Sequence, residues 1–208
     1  IAGLHMTATL TSKFSEALTY AAAAHAGQTR RGTAIPYLAH CLSVAALALE
    51  AGCDEETAIA ALLHDVVEDC GGPPRLSEIR EQFGEVVAAT VSACSDTDQT
   101  PKPPWKARKQ AWLEAFPRMP PAAQLVSTCD KLHNARAIVG DLYEMGEVVW
   151  QKFNGGREGT LWYYATFVNL CRETTLPSAL VEYLRRVVET MRVVANAGGE
   201  KTPEAANS

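Results

Sequence analysis

The sequence predicts an all-α protein folded as a single domain. Three observations carry this expectation. Apolar residues recur at helical spacing in nearly every patterned stretch instead of alternating as they do in strands. Ala, Leu and Glu dominate over the β-branched and aromatic residues that strands favour. A chain of 208 residues with 47% hydrophobic and 21% charged side chains suits one ordinary globular core.

The elements follow from periodicity and punctuation. A first helix runs from Lys13 to Ala26 and stops at Gly27; a second follows Pro36, runs to Ala51 and stops at Gly52. The third, Glu55 to Cys70, has Asp54 as its cap, Glu55 and Glu56 in its first turn where the dipole favours anions, and Gly71-Gly72 after its end. Shorter helices cover Ser77 to Phe83 and Glu85 to Ala93, before a polar, proline-rich loop from Ser95 to Pro104. Further helices span Lys106 to Phe116, Pro121 to Leu142, Glu147 to Phe153, Thr160 to Glu173 and Ser178 to Ala197. Residues 1–5 read as a cloning remnant ahead of Met6 and residues 198–208 as a flexible tail, which leaves the domain at 6–197.

Composition excludes several function classes. A formal net charge of -5 argues against sequence-independent nucleic-acid binding, which needs many cations along the backbone. The apolar runs, such as Ala58 to Leu63, are too short to cross a bilayer, and no signal-peptide pattern opens the chain, so no membrane partner and a cytoplasmic setting are expected. The six cysteines form no C-x-x-C pair; neither a zinc knuckle nor a disulfide framework is indicated. Nothing in the sequence sets an oligomeric state.

The third helix carries the chemistry. His64, Asp65, Glu68 and Asp69 fall at i, i+1, i+4 and i+5, on one face, below the wholly apolar run Ala60 to Leu63. Three carboxylates near a helix C-terminus stack negative charge where the dipole is already negative, so a cation belongs there. Imidazole and carboxylate are ligands that divalent first-row metals accept. Donors elsewhere are few: His25, His40 and His133 remain, and the strings Pro36-Tyr37-Leu38-Ala39-His40 and Asp130-Lys131-Leu132-His133-Asn134 stand out by their polar content. Taken alone a buried histidine is more often a hydrogen-bonded core residue than a ligand, and His25 and His133 read as helix braces. Lys106, Arg108 and Lys109, and Arg157 in Gly155-Gly156-Arg157-Glu158-Gly159, are candidate phosphate contacts or plain surface charge; Trp162, Tyr163 and Tyr164 offer a stacking surface or core packing.

The order His40, His64-Asp65, Asp130 resembles the H…HD…D signature of HD-superfamily phosphohydrolases. The fuller strings Gly27-Gln28-Thr29-Arg30-Arg31, Pro36-Tyr37 with His40, Leu63 to Asp69, and Asp130 to Asn134 are similar to the hydrolase domain of RelA/SpoT-type enzymes, over roughly Lys13 to Leu142. Cys41 departs from that pattern, standing where proline commonly follows the histidine. The resemblance implies a single-domain, HD-fold helical bundle that uses Mn²⁺ to remove the 3′ pyrophosphate of ppGpp or pppGpp, leaving GDP or GTP. The chain's length implies the stand-alone type, a small alarmone hydrolase. The resemblance further implies His40, His64, Asp65 and Asp130 as metal ligands, Glu68 as general base, Asp69 as its partner in orienting water or returning a proton, and Arg30, Arg31 and Asn134 as nucleotide contacts; Lys109 and Arg157 stay candidates from their charge alone. Two readings compete: the same chemistry on another nucleotide, an adenosine alarmone or NADPH, and a non-catalytic nucleotide or metal sensor, against which the Glu68-Asp69 pair argues.

Overall fold

A computed structural model describes residues 9–95, 101 and 103–199. Among them the regular structure is helical; an isolated antiparallel bridge joins Thr29 to Pro36. The first helix, α1 (Ser12–Ala24), starts where the Thr11 side chain accepts the Lys13 N–H, and the chain turns away at Gly27, whose φ of 76° lies in the left-handed region that a Cβ disfavours. After a tight loop that presents Arg30 and Arg31 comes α2 (Leu38–Glu50). Asp54 then caps α3 (Glu55–Leu63) by accepting the Thr57 N–H at 2.8 Å.

The expected single helix from Glu55 to Cys70 is broken. The α-helical run stops at Leu63 and resumes as the one-turn α4 (Val66–Asp69), with His64 and Asp65 at the joint. The physical reason lies in His64: its Nδ1 sits 2.8 Å from the Ala61 carbonyl, so a side-chain donor competes for an acceptor that the next helical turn would use. Next, α5 (Pro73–Phe83) begins a turn earlier than expected because Pro73 and Pro74 occupy its first positions, where a missing N–H costs nothing. It is followed by α6 (Glu85–Cys94), α7 (Trp105–Ala115) with a 3-10 turn to Arg118, and α8 (Pro121–Met145). Gly146–Lys152 is 3-10, not α-helical; α9 (Gly156–Cys171) and α10 (Ser178–Gly199) complete the bundle. The expected remnant at 1–5 lies outside the described residues, as does most of the expected tail, whose first two residues extend α10.

Every residue of α3 from Thr57 to Leu63 is buried, and the helix is surrounded by α1, α2, α6 and α8. Ile59, Leu62 and Leu63 are fully enclosed, each contributing about 1.5–3 kcal/mol by burial. The long α8 touches α2, α3 and α6, and also α9 and α10. The same core continues into an aromatic group where Trp112 and Phe116 meet Tyr163 and Phe167 of α9. The effect is to fix one end of α3 against the middle of α8, which is where the polar strings of the sequence meet.

The cysteines are all free; Cys41, Cys53, Cys129 and Cys171 are buried, and Cys70 and Cys94 half-buried. Burial pushes the Cys41 and Cys171 thiols up to about 12 and Cys53 up to about 11, which removes the reactive thiolate at ordinary pH. At pH 8 the native protein is expected to react with Ellman's reagent at no more than Cys70 and Cys94, and at all six cysteines once unfolded. Fast reaction of three or more native thiols would contradict this packing.

Candidate active site

Three elements converge on one point. The first turn of α2 supplies His40, the joint between α3 and α4 supplies His64 and Asp65, and the middle of α8 supplies Asp130. His40 Nε2 is 3.4 Å from Asp65 Oδ2 and 3.2 Å from Asp130 Oδ1; His64 Nε2 is 3.0 Å from Asp65 Oδ2 and 3.8 Å from Asp130 Oδ1. His40, His64 and Asp65 offer ligand atoms that all lie within 4.8 Å of one another. His40 and His64 are only 1% and 3% exposed, and Asp130 7%, so water does little to screen this charge.

The electronics ask for a cation. The Ala61 carbonyl can only accept, so the proton of a neutral His64 sits on Nδ1 and its Nε2 presents a lone pair. That buried atom makes no hydrogen bond, although two carboxylates face it. Burial works against an imidazolium there, yet the Asp65 and Asp130 carboxylates outweigh it and hold His64 well above the usual histidine range. Burial likewise opposes charge on Asp65 and Asp130, but His64 and His40 for the first, and Lys131 with His40 and His64 for the second, keep both carboxyls well below the usual range. Two nitrogen and two oxygen donors converging on one point fit a divalent cation, which would take the place of the His64 proton between the carboxylates.

A supporting layer orients these donors. Asn134 and Lys131 both donate to Asp130, one to each carboxylate oxygen, and Arg30 donates to Asn134 Oδ1 at 2.9 Å. The Tyr37 hydroxyl donates to Asp65 Oδ2 at 2.6 Å, and its ring stacks on His25. His133 meets His40 through their Nδ1 atoms at 2.8 Å. Burial, then the neighbouring His40 and Arg30, push His133 down to about 4 and keep it neutral. Lys131 and Tyr37 escaped the sequence reading although both lie inside the quoted strings; a lysine interrupting an apolar stretch was the available signal for the first.

His64, Asp65 and Asp130 line a cleft of about 470 Å³, within the range of small-molecule sites, with His40 packed behind them. Arg30, Arg31, Glu68, Asp69, Lys109 and Asn134 all line it, as the sequence reading expects of substrate and catalytic groups. Burial, and then the charges of Asp65 and Glu68, push the Asp69 carboxyl up. Arg157, expected as a phosphate contact, does not line the cleft: its guanidinium reaches Asn196 Oδ1 at 2.8 Å and lies near Glu147, tying α9 to α10. Tyr163 and Tyr164 line the cleft, whereas Trp162 packs beside Lys106 and Trp105 outside it.

The model of the HD domain family matches residues 17–161. The chain belongs to the HD domain family. HD domains imply divalent-metal binding, in keeping with the His and Asp cluster described above. The bifunctional (p)ppGpp synthase/hydrolase SpoT of Escherichia coli K12 is 36% identical over 121 residues, 55% of this chain but 16% of that protein. The chain thus spans a small fraction of the length of this curated relative. The guanosine-3′,5′-bis(diphosphate) 3′-pyrophosphohydrolase MESH1 of Homo sapiens is 39% identical over 126 residues, 58% of this chain and 66% of that one. A solved structure of a metazoan ortholog of SpoT that hydrolyzes ppGpp superposes with a TM-score of 0.70 at 27% identity, covering 87% of this chain and 96% of that one. No helix among the described residues is long and apolar enough to cross a membrane.

One wall of the HD domain cleft rests on a close approach. A Cβ at Gly155 would lie 2.5 Å from Trp105 Cη2, and one at Gly159 3.0 Å from Trp105 Cζ3, so two glycines one turn apart form a slot for the indole that anchors α7. Trp105 and Lys109, four residues apart, both face the cleft from this helix. Gly155 has a φ of -83°, so alanine there meets no backbone strain and the effect is purely steric. Gly155→Ala is expected to cost about 1–3 kcal/mol in denaturant unfolding and to shift the tryptophan emission. Unchanged stability and emission would show that α7 is not held by this slot.

Proposed function

We propose that this chain is a cytoplasmic, manganese-dependent guanosine polyphosphate 3′-pyrophosphohydrolase, taking ppGpp or pppGpp and releasing pyrophosphate with GDP or GTP. The observation that carries the reading is the convergence of His40, His64, Asp65 and Asp130 at a cleft whose lining also includes the carboxylates of Glu68, Asp69 and Asp141 and the cations Arg30, Arg31, Lys109, Lys131 and Lys152. The substrate is supported by the names of the relatives, with which the chain shares 36–39% identity over its matched part.

His40, His64, Asp65 and Asp130 would hold the manganese ion, their mixed nitrogen and oxygen set being one it accepts. A divalent ion bound there lowers the pKa of water and draws charge from the phosphoryl group. Glu68, on the wall beside the donors, takes a proton from the attacking water as the new P–O bond forms. The bond to the ribose 3′ oxygen then breaks, and Asp69, whose carboxyl burial and the neighbouring Asp65 and Glu68 push up, supplies the proton that leaves a 3′ hydroxyl. Arg30, held by Asn134, and Arg31 grip phosphate oxygens from the loop, and Lys109 meets them from α7.

Purified chain with Mn²⁺ and ppGpp is expected to yield intact pyrophosphate and GDP by anion exchange and ³¹P NMR, with activity lost on chelation. If ppGpp survives while NADPH or an adenosine alarmone is hydrolysed, the guanosine substrate is wrong and the metal hydrolase stands. Tight nucleotide binding with no turnover of any of them would instead favour the sensor. In a separate arm, Glu68→Gln is expected to lower kcat by about 10²- to 10⁴-fold with Mn²⁺ affinity kept; an unaltered kcat removes Glu68 from the mechanism.

A further inference from the structure

The contact between His40 and His133 joins α2 to α8 at the centre of the site. Their Nδ1 atoms are 2.8 Å apart and their ring centroids 4.8 Å apart, with the rings tilted by 45°. Two imidazole nitrogens at that distance share one proton, so one ring donates and the other accepts. The direction decides what the far edge of His40 can do. If His40 donates from Nδ1, its Nε2 carries a lone pair, 3.2 Å from Asp130 Oδ1 and 3.4 Å from Asp65 Oδ2. If a neutral His40 accepts, the proton sits on Nε2 and occupies the place where a cation would bind.

We propose that His133 is a positioning residue that accepts the Nδ1 proton of His40 and so leaves Nε2 bare for the metal. This goes beyond the proposed activity and rests only on its divalent-metal part. The other histidine of the site supplies the parallel. His64 hands its Nδ1 proton to the Ala61 carbonyl and turns Nε2 to the same two carboxylates. His40 lies in the first turn of α2, and its partner at Nδ1 is His133 and not a backbone carbonyl. His133 therefore does for His40 what Ala61 does for His64. It also lies three residues after Asp130 on α8, so a single helix supplies one ligand and sets the proton of another.

The test reads metal binding apart from turnover. Calorimetric titration with Mn²⁺ alone is expected to show roughly 10- to 100-fold weaker binding for His133→Phe, the range usual for partners behind a ligand. His133→Asn, whose Oδ1 can take the position of Nδ1 as an acceptor, is expected to recover affinity to within a few-fold. In ¹⁵N-histidine spectra of the Zn²⁺ form, His40 is expected to carry its proton on Nδ1. The inference is overturned if folded His133→Phe binds Mn²⁺ like the unaltered protein, if asparagine rescues no better than phenylalanine, or if the His40 proton is found on Nε2. Absence of Mn²⁺ binding by the unaltered protein would overturn the metal reading as well, whereas failure to cleave ppGpp would leave this inference standing.

Discussion

A buried carboxylate, Asp130, and a half-buried one, Asp65, facing two imidazole nitrogens constrain everything else in this molecule. Asp65 and Asp130 sit where burial would ordinarily neutralise them, and their negative charge persists because His40, His64 and Lys131 answer it. Removing one partner from such a set leaves an uncompensated charge in a low-dielectric interior, commonly a loss of about 3–5 kcal/mol. The surrounding hydrogen bonds follow from that hazard. Tyr37 holds Asp65, Asn134 and Lys131 divide Asp130, and the Lys131 ammonium lies 4.7 Å above the Trp112 ring, so its own burial is compensated on the opposite side.

The fold serves this charge by rigidity. All of α3 is enclosed, and α8 runs past it in one piece of 25 residues, so the distance between the α3 end and Asp130 is set by packed helices and not by loops. A metal-binding arrangement needs its donors held to a fraction of an ångström, which helical scaffolds provide. Arg30 and Arg31 ride on a short loop that is closed by the Thr29–Pro36 bridge and by backbone hydrogen bonds from Arg30 to Ile35 and from Tyr37 to Gln28, and the Arg30 guanidinium is tied to α8 through Asn134.

Local signals in the sequence predicted local structure well. Asp54 before Glu55-Glu56, and Gly27 after the first apolar run, marked ends that the backbone uses, because caps and left-handed turns depend on a few adjacent residues. The His64-Asp65 doublet was visible for the same reason. His40 and Asp130 were not derivable from spacing, since three separate helices bring them to it, and only the family resemblance joined them. The break at His64 was hidden because a tertiary polar site, not a glycine or proline, stops the helix; the dipole argument built on an unbroken α3 loses its weight, and the convergence of four donors replaces it. For Arg157 the sequence left a phosphate contact and plain surface charge open, because it does not show what the neighbouring glycines face. Those glycines admit the Trp105 ring, and α10, whose position no local pattern encodes, captures the guanidinium.

A formal charge of -5 says little about the cleft, because both signs of charge line it. Asp65, Glu68, Asp69 and Asp130 come from the α3–α4 joint, α4 and α8, and Arg30, Arg31 and Lys109 from the loop and α7. The two sets are not held apart, since Arg30 donates to Asn134 and Asn134 donates to Asp130. An anion entering the cleft therefore meets the carboxylates together with the arginines, and a cation held among the carboxylates would reverse the local field in its favour. Metal affinity and anion affinity are coupled in this site because the same hydrogen-bonded network carries both.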